Sequence, residues 1–410
     1  MDLESSGATP RPHERIAVDD SRFYIDEGRA NRAFRWLRRE APVWWFEPRG
    51  FWVVSRRDDV MSMSKSPDLW SSRSGIAMPS HAGKQAPGMG QGQAPSIIQM
   101  DPPDHNRHRA LVSRAFTPRR ISDLESRIRE IAVESIERTP IGEPIDFVES
   151  VALPLPMRVI AEMLGVPEDD LERFRRWSDA VIVQAGADAE RGQGLEAIAE
   201  VFAYFARMLA ERRSRPGADL LSALVSAEVE GRALEEGEIL IFCMTLLVAG
   251  NETTRTLVAQ GARLLLEQPD QLDALRSRAA PLPDAIEELF RLTSPIRYFF
   301  RRATRDVEMR GTTIRAGDPV MMLYTAANRD EAVWGEDADR LDVCRPVQPH
   351  VALGFGQHFC LGANLARLEA RVLFEELLAR RGHWESAGEV EFVRSSFVNG
   401  IERMPVVLRA

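Results

Sequence analysis

The stretch Gly354–Ala366, GFGQHFCLGANLA, decides how the rest of the chain is read. It sets Cys360 between a glycine-rich approach and the start of a helical pattern. A ligating sulfur needs its thiolate favoured and its approach fixed. Gly354 and Gly356 lack Cβ atoms, so the backbone can turn closely about a flat ligand. Gly362 lets the next helix, LGANLARLEARVLFEELLAR, start hard against that ligand, and its first N–H groups favour an anionic sulfur. A cysteine at a helix start is ordinarily a small apolar filler. The surrounding glycines, with His358 two residues upstream, argue for a ligand instead.

Composition narrows the classes. The chain has 410 residues, 44% hydrophobic and 28% charged, with three cysteines and a net charge of -9. That balance describes a globular chain able to bury a substantial core. The acidic excess argues against bulk attraction to nucleic acid or anionic membranes. Three cysteines without a CxxC pair suit a reducing cytoplasm. The N-terminus, MDLESSGATPRP, lacks the apolar core of a signal peptide. The longest apolar run, Ile239–Gly250, is too short for a membrane span and reads as a buried helix.

Along the chain, VWWFEPRGFWVVSR (Val43–Arg56) alternates aromatic and β-branched residues around Pro48-Arg49-Gly50, a hairpin pattern. Residues 71–95 form a long glycine- and proline-rich loop, either functional or a tolerated surface insertion. Helical periodicity dominates from Asp104 to about Leu378, and strand patterns return at Asp306–Ile314, Pro319–Leu323 and Glu389–Leu408. The expectation is a mainly α fold with small β-sheets, a single domain over 1–410, with about 1–15 loose.

Three further stretches carry chemistry. In LLVAGNETTRTLV (Leu246–Val258), Glu252, Thr253 and Thr254 interrupt an apolar helix, which is costly unless they are paired or hydrated. Ala249 and Gly250 reduce bulk just before the acid, making room for a small ligand; a helix crossing with a solvated polar face is the alternative. In AIEELFRLTSP (Ala285–Pro295), Glu288 and Arg291 share one helix face. Alone, such a pair is most often a surface ion pair. In MDPPDHNRHRALVSRAFTPR (Met100–Arg119), His105 and Arg109 also share a face, suited to a pair of carboxylates or to solvent.

Taken together and in this order, the four stretches resemble the cytochrome P450 family of haem-thiolate monooxygenases. The resemblance covers most of the chain and implies the P450 fold, with haem b between the distal acid–alcohol helix and the proximal cysteine-loop helix. It implies Cys360 as the iron ligand. His105, Arg109, Arg301 and His358 would hold the haem propionates, with Ala249, Gly250, Leu353, Gly354, Phe355 and Gly362 also against the cofactor. Glu252 and Thr253 match the acid–alcohol pair that supplies protons for dioxygen activation. Glu288 and Arg291 would form the structural network, with Arg345 as third partner and Asn328-Arg329-Asp330 at its far end. One departure stands out: Leu353 occupies the position where the family usually has phenylalanine.

By the same resemblance, the loop Ser71–Gln99 with Ile97 and Ile98, the turn near Gly186–Gly194, and Val248, Ile296, Phe299 and Val398 would line the substrate pocket. Their apolar character implies hydroxylation of a lipophilic small molecule such as a terpenoid, steroid, fatty acid or macrocycle. AGNETTR is reminiscent of bacterial lipid- and sterol-oxidising members. Arg297 and Arg302 read as solvated surface arginines, the alternative being contact with an acidic substrate group. Without a flavin or iron–sulfur segment, electrons would come from an external ferredoxin and its NAD(P)H-dependent reductase. Arg107, Arg114, Arg119 and Arg120 offer an acidic ferredoxin a docking patch. A peroxide-driven peroxygenase, a non-catalytic haem sensor and a helical scaffold with a structural cysteine are the competing readings.

Overall fold

A computed structural model describes residues 16–79, 95–113, 116–185, 193–229 and 231–409. Among them, helices dominate and the strands gather into small sheets. The aromatic hairpin pairs Val43–Phe46 with Phe51–Val54, antiparallel, around a turn in which Gly50 has φ +67°. Pro319–Leu323 joins it in parallel, followed by Tyr298–Ala303 and Trp70–Ser71. Phe51 and Phe300 meet edge to face, 5.0 Å between centroids, and anchor one side of this sheet. Successive residues of a strand point to opposite faces, so Phe299 and Arg301 share the other side. The expected strand at Asp306–Ile314 is a hairpin, Val307–Met309 with Thr312–Ile314, because Arg310 and Gly311 both take positive φ. A second sheet joins His383–Ser386, Pro405–Arg409 and Pro144–Asp146, two of whose strands carry too little alternation to be read from sequence.

The central helix runs Glu236–Glu267, 32 residues, started by a capping box between Glu235 and Glu238. Reciprocal bonds of this kind satisfy two of the N–H groups a helix start leaves open. It is buried along most of its length because other helices pack around it. Gly261 lies where a Cβ would come within 3.1 Å of Leu289 and 3.2 Å of Phe374. Those residues belong to the ExxR helix, Leu282–Thr293, and the post-cysteine helix, Ala363–Arg380. Gly250 shows the same logic on another side: its Cβ would stand 2.6 Å from Ile160 of the helix Pro154–Leu164. The space next to Gly250 is therefore filled by a helix crossing, which corrects the expectation that its missing side chain opens a ligand groove.

Candidate active site

Cys360 sits at the end of a turn whose backbone is fixed by its own N–H, which donates to the Leu353 carbonyl at 2.8 Å. Gly354 (φ +70°) and Gly356 (φ +65°) take the left-handed region that side chains avoid. A Cβ on Gly356 would lie 2.4 Å from the Ser64 carbonyl oxygen, so this glycine serves the contact of the turn with the helix Arg57–Lys65. Phe355 packs outward on that helix under the Lys65 ammonium, 5.2 Å from its ring centroid. Leu353 is buried beneath the loop. A Cβ on Gly362 would meet nothing within 4 Å, so space is kept beside the cysteine. Burial pushes the Cys360 thiol up, and the Gly362 N–H, Arg109 and Arg367 oppose it by favouring the anion.

The basic side chains converge. His105 and Arg109 lie on the helix Asp104–Ser113, and His105 is only 1% exposed, so this face turns inward. The rings of His105 and His358 are 4.3 Å apart. Burial, with Arg301, His105 and Arg109 beside it, lowers His358 to about 3 and keeps it neutral. Burial likewise lowers Arg109 and Arg301. Among the described residues none of these four has a carboxylate in ion-pair reach; Arg301 donates to the Phe300 carbonyl at 2.7 Å, and His105 Nδ1 has no partner. The nearby Asp101 is engaged by Ser71, the Ser72 N–H and Arg73. Buried cations call for anions, and this set fits a flat apolar group carrying two carboxylates, placed beside a cysteine sulfur.

On the central helix, Thr253 donates to the Ala249 carbonyl at 2.6 Å, and Ala249 is exposed despite its position in the middle of a buried helix. Glu252 is 2% exposed, paired with Arg255 and approached by Thr256 Oγ1 at 3.4 Å. Asn251, Thr254 and Thr256 are buried too, which removes the solvated polar face as an explanation. Thr254 bonds the buried Glu369 of the post-cysteine helix, whose carboxyl burial raises to about 8. This contact ties the acid–alcohol turn to the helix that follows the cysteine.

Glu288 and Arg291 are buried, with two bonds of 2.7 Å between them. Arg291 also donates to the Asn328 and Ala338 carbonyls, and Arg345 reaches Glu288 at 3.1 Å. Asn328 accepts from the Val351 N–H at 2.8 Å, and Arg329 donates to the Leu292 carbonyl. The surface ion-pair alternative is therefore excluded. Sequence reasoning missed Glu287, which binds Arg367 at 2.6 Å and His350 at 3.2 Å. Burial pushes its carboxyl up, but these two partners outweigh that and hold it at about 2. No local signal marks Glu287, because its partners lie 80 and 63 residues along the chain.

Of the expected pocket residues, Ile97 lines a small cavity with Val112, Ile241 and Phe242, and Ser96 bonds Thr245 of the central helix at 2.9 Å. Ile98 and Val248 are half-buried. Ile296 and Val398 form a β-bridge, and Phe299 stacks edge-on with Phe397 and Tyr324. Most of the Ser71–Gln99 loop, most of Gly186–Gly194, and Arg114 lie outside the described residues. Arg297 corrects the sequence reading: it is 3% exposed and donates to the Ser395 and Val398 carbonyls and to Asn399 Oδ1. The short sheet edge cannot expose it, because the Ser395–Gly400 turn folds over its guanidinium.

Comparison with known proteins follows the same lines. Residues 281–386 match the family model described as Cytochrome P450. The chain is 37% identical, over 93% of its length and 92% of the relative's, to a methyl-branched lipid omega-hydroxylase of Mycobacterium tuberculosis. It is 37% identical, over 94% of both chains, to a steroid C26-monooxygenase of Mycolicibacterium smegmatis. The solved structure of cytochrome P450 CYP109Q5 from Chondromyces apiculatus superposes with a TM-score of 0.87 at 37% identity, covering 96% of this chain and 98% of that one. The turn around a lone cysteine, the buried ExxR pair and full-length similarity on this scale lead to one conclusion: the chain belongs to the cytochrome P450 family, and is an oxidoreductase of the haem b monooxygenase type.

Proposed function

We propose that this protein hydroxylates a lipophilic small molecule, with Cys360 as the haem-iron ligand and electrons delivered by an external ferredoxin and its NAD(P)H-dependent reductase in the cytoplasm. The observation that carries the reading is the cluster of His105, Arg109, Arg301 and His358 beside Cys360, which has no carboxylate partner among the described residues. Two haem propionates supply the two negative charges this cluster calls for. Bound haem supplies the oxygen activation and the attack on a C–H bond. The chain does the rest.

Cys360 would donate its sulfur to the iron; burial pushes its thiol up, and the Gly362 N–H, Arg109 and Arg367 act against that burial in favour of the anion. Glu288, Arg291 and Arg345 hold the segment behind the loop. Thr253, hydrogen-bonded to the Ala249 carbonyl, presents its hydroxyl at the distal helix. Glu252, one residue earlier, is the buried acid that relays protons toward it. Ile97, Ile98, Val248, Ile296, Phe299 and Val398 exclude water and orient an apolar substrate. The names of the lipid and steroid relatives support a lipophilic substrate. Among the described residues no helix is long and apolar enough to cross a membrane. Arg107, Arg119 and Arg120 are exposed, which supports an acidic electron donor docking here.

The test is spectroscopic. The reduced protein under carbon monoxide is expected to show the red-displaced absorption of a thiolate-ligated haem, and Cys360→His is expected to abolish it while still binding haem. The same spectrum in both proteins would remove Cys360 as the ligand.

A further inference from the structure

We propose that Gly400 and the turn Ser395–Gly400 form a brace that sets the position of the Glu252 carboxylate. The inference rests on the reading above, in which Glu252 relays protons. Gly400 is buried, and a Cβ there would lie 3.1 Å from Glu252 Oε1 and 2.9 Å from Val393 Cγ2. Its φ is not in the left-handed region, so the requirement for glycine is one of space. Around the carboxylate stand Arg255, Thr256 and the bare backbone of Gly400.

The turn has little freedom to retreat from the acid. Arg297 donates from its side chain to Ser395 O at 2.6 Å, to Val398 O and to Asn399 Oδ1 at 2.7 Å. The Arg297 N–H donates to Phe397 O at 2.8 Å, and the Asn399 N–H to Pro295 O at 2.9 Å. Gln260, eight residues beyond Glu252 on the same helix, donates to the Asn399 carbonyl at 2.8 Å. The central helix therefore grips the turn at Gln260 and receives it again at Glu252. This gives the buried Arg297 a role: its charge is spent on the carbonyls of the turn, without a carboxylate among the described residues. A relay acid works only within hydrogen-bond reach of its partners, so a displacement of a few tenths of an ångström at Gly400 reaches the proton supply.

Gly400→Ala in the holoenzyme tests this. A Glu252 side chain pushed off its rotamer costs on the order of 1 kcal/mol, so product formed per reducing equivalent is expected to fall about fivefold, with the balance released as peroxide. Haem content and substrate-induced spin shift are expected to stay unchanged. Val393→Ala alone is expected to leave coupling intact, and in the Gly400→Ala background to restore much of it by giving the new methyl somewhere to go. A readout independent of turnover is a thermal-unfolding cycle, in which Gly400→Ala destabilises less when Glu252 is already alanine. Lost coupling in Glu252→Gln with full coupling and additive stabilities in Gly400→Ala overturns the brace and leaves the relay. Full coupling in both variants overturns the relay, and the brace's catalytic role with it.

Discussion

Arg291 and Arg301 are buried arginines ten residues apart, and they are neutralised in opposite ways. Arg291 meets the Glu288 carboxylate through two bonds and three backbone carbonyls besides. Arg301 has one backbone carbonyl and no carboxylate in ion-pair reach among the described residues. Desolvating a charge is costly unless it is paired and hydrogen-bonded. The saturated arginine belongs to the architecture. The unsaturated one suits the role proposed for it, meeting a cofactor carboxylate, since no described residue places one within ion-pair reach. Glu287 lies with the first group, bonded to Arg367 and His350 and linking the ExxR helix to the cysteine side.

That contrast can be broken at its strongest point. Glu288→Ala leaves both Arg291 and Arg345 without their buried carboxylate, and such losses cost about 3–5 kcal/mol. Chemical denaturation is expected to show that loss, with haem content falling alongside. A variant as stable as the parent would show that the network is not needed for the fold.

Acid titration probes the same region through Glu287. Its folded value, about 2, lies below its unfolded value of 4.5. The contribution is therefore fully present above pH 4.5 and lost as pH falls through about 2, below which both forms are protonated. Allowing for partial exposure it is worth about 2 kcal/mol. Glu287→Gln is expected to lose that stability at neutral pH and to flatten the acid limb over this window. An acid limb identical to the parent's would separate Glu287 from the saturated group.

Arg301→Met sharpens the other half of the comparison, with a smaller effect. Removing an uncompensated buried charge is expected to leave the haem-free chain as stable or more so. Losing a charge-assisted bond to a propionate is expected to weaken haem retention about tenfold, or about 1.4 kcal/mol. Haem transfer to an acceptor protein measures the second and denaturation of the haem-free chain the first. A destabilised chain with unchanged haem transfer would place Arg301 with Arg291 after all.

The cysteine turn, the ExxR pair and the acid–alcohol turn are legible in the sequence because each is a local pattern. Glycines of positive φ, an i, i+3 pair and polar residues inside an apolar helix all act within one or two turns of chain. Arg345 was placed from the resemblance rather than from spacing, since it lies 57 residues from Glu288. Glu287 was overlooked because its partners, Arg367 and His350, lie 80 and 63 residues away. Nothing in the neighbourhood of a glutamate in sequence reports a distant arginine.

By itself, then, the sequence determined which residue types stand at the cysteine turn and the distal helix, and with them the family and its cofactor. Only the tertiary structure decided that Gly250 serves a helix crossing at Ile160, that Gly356 serves the Ser64 carbonyl, and that Arg297 is buried under a turn. The physical reason is that backbone preference and helix periodicity are encoded locally, whereas burial is a property of what folds over a residue. A glycine or an arginine reads the same in the chain whether its neighbour in space is solvent, a ligand or another helix.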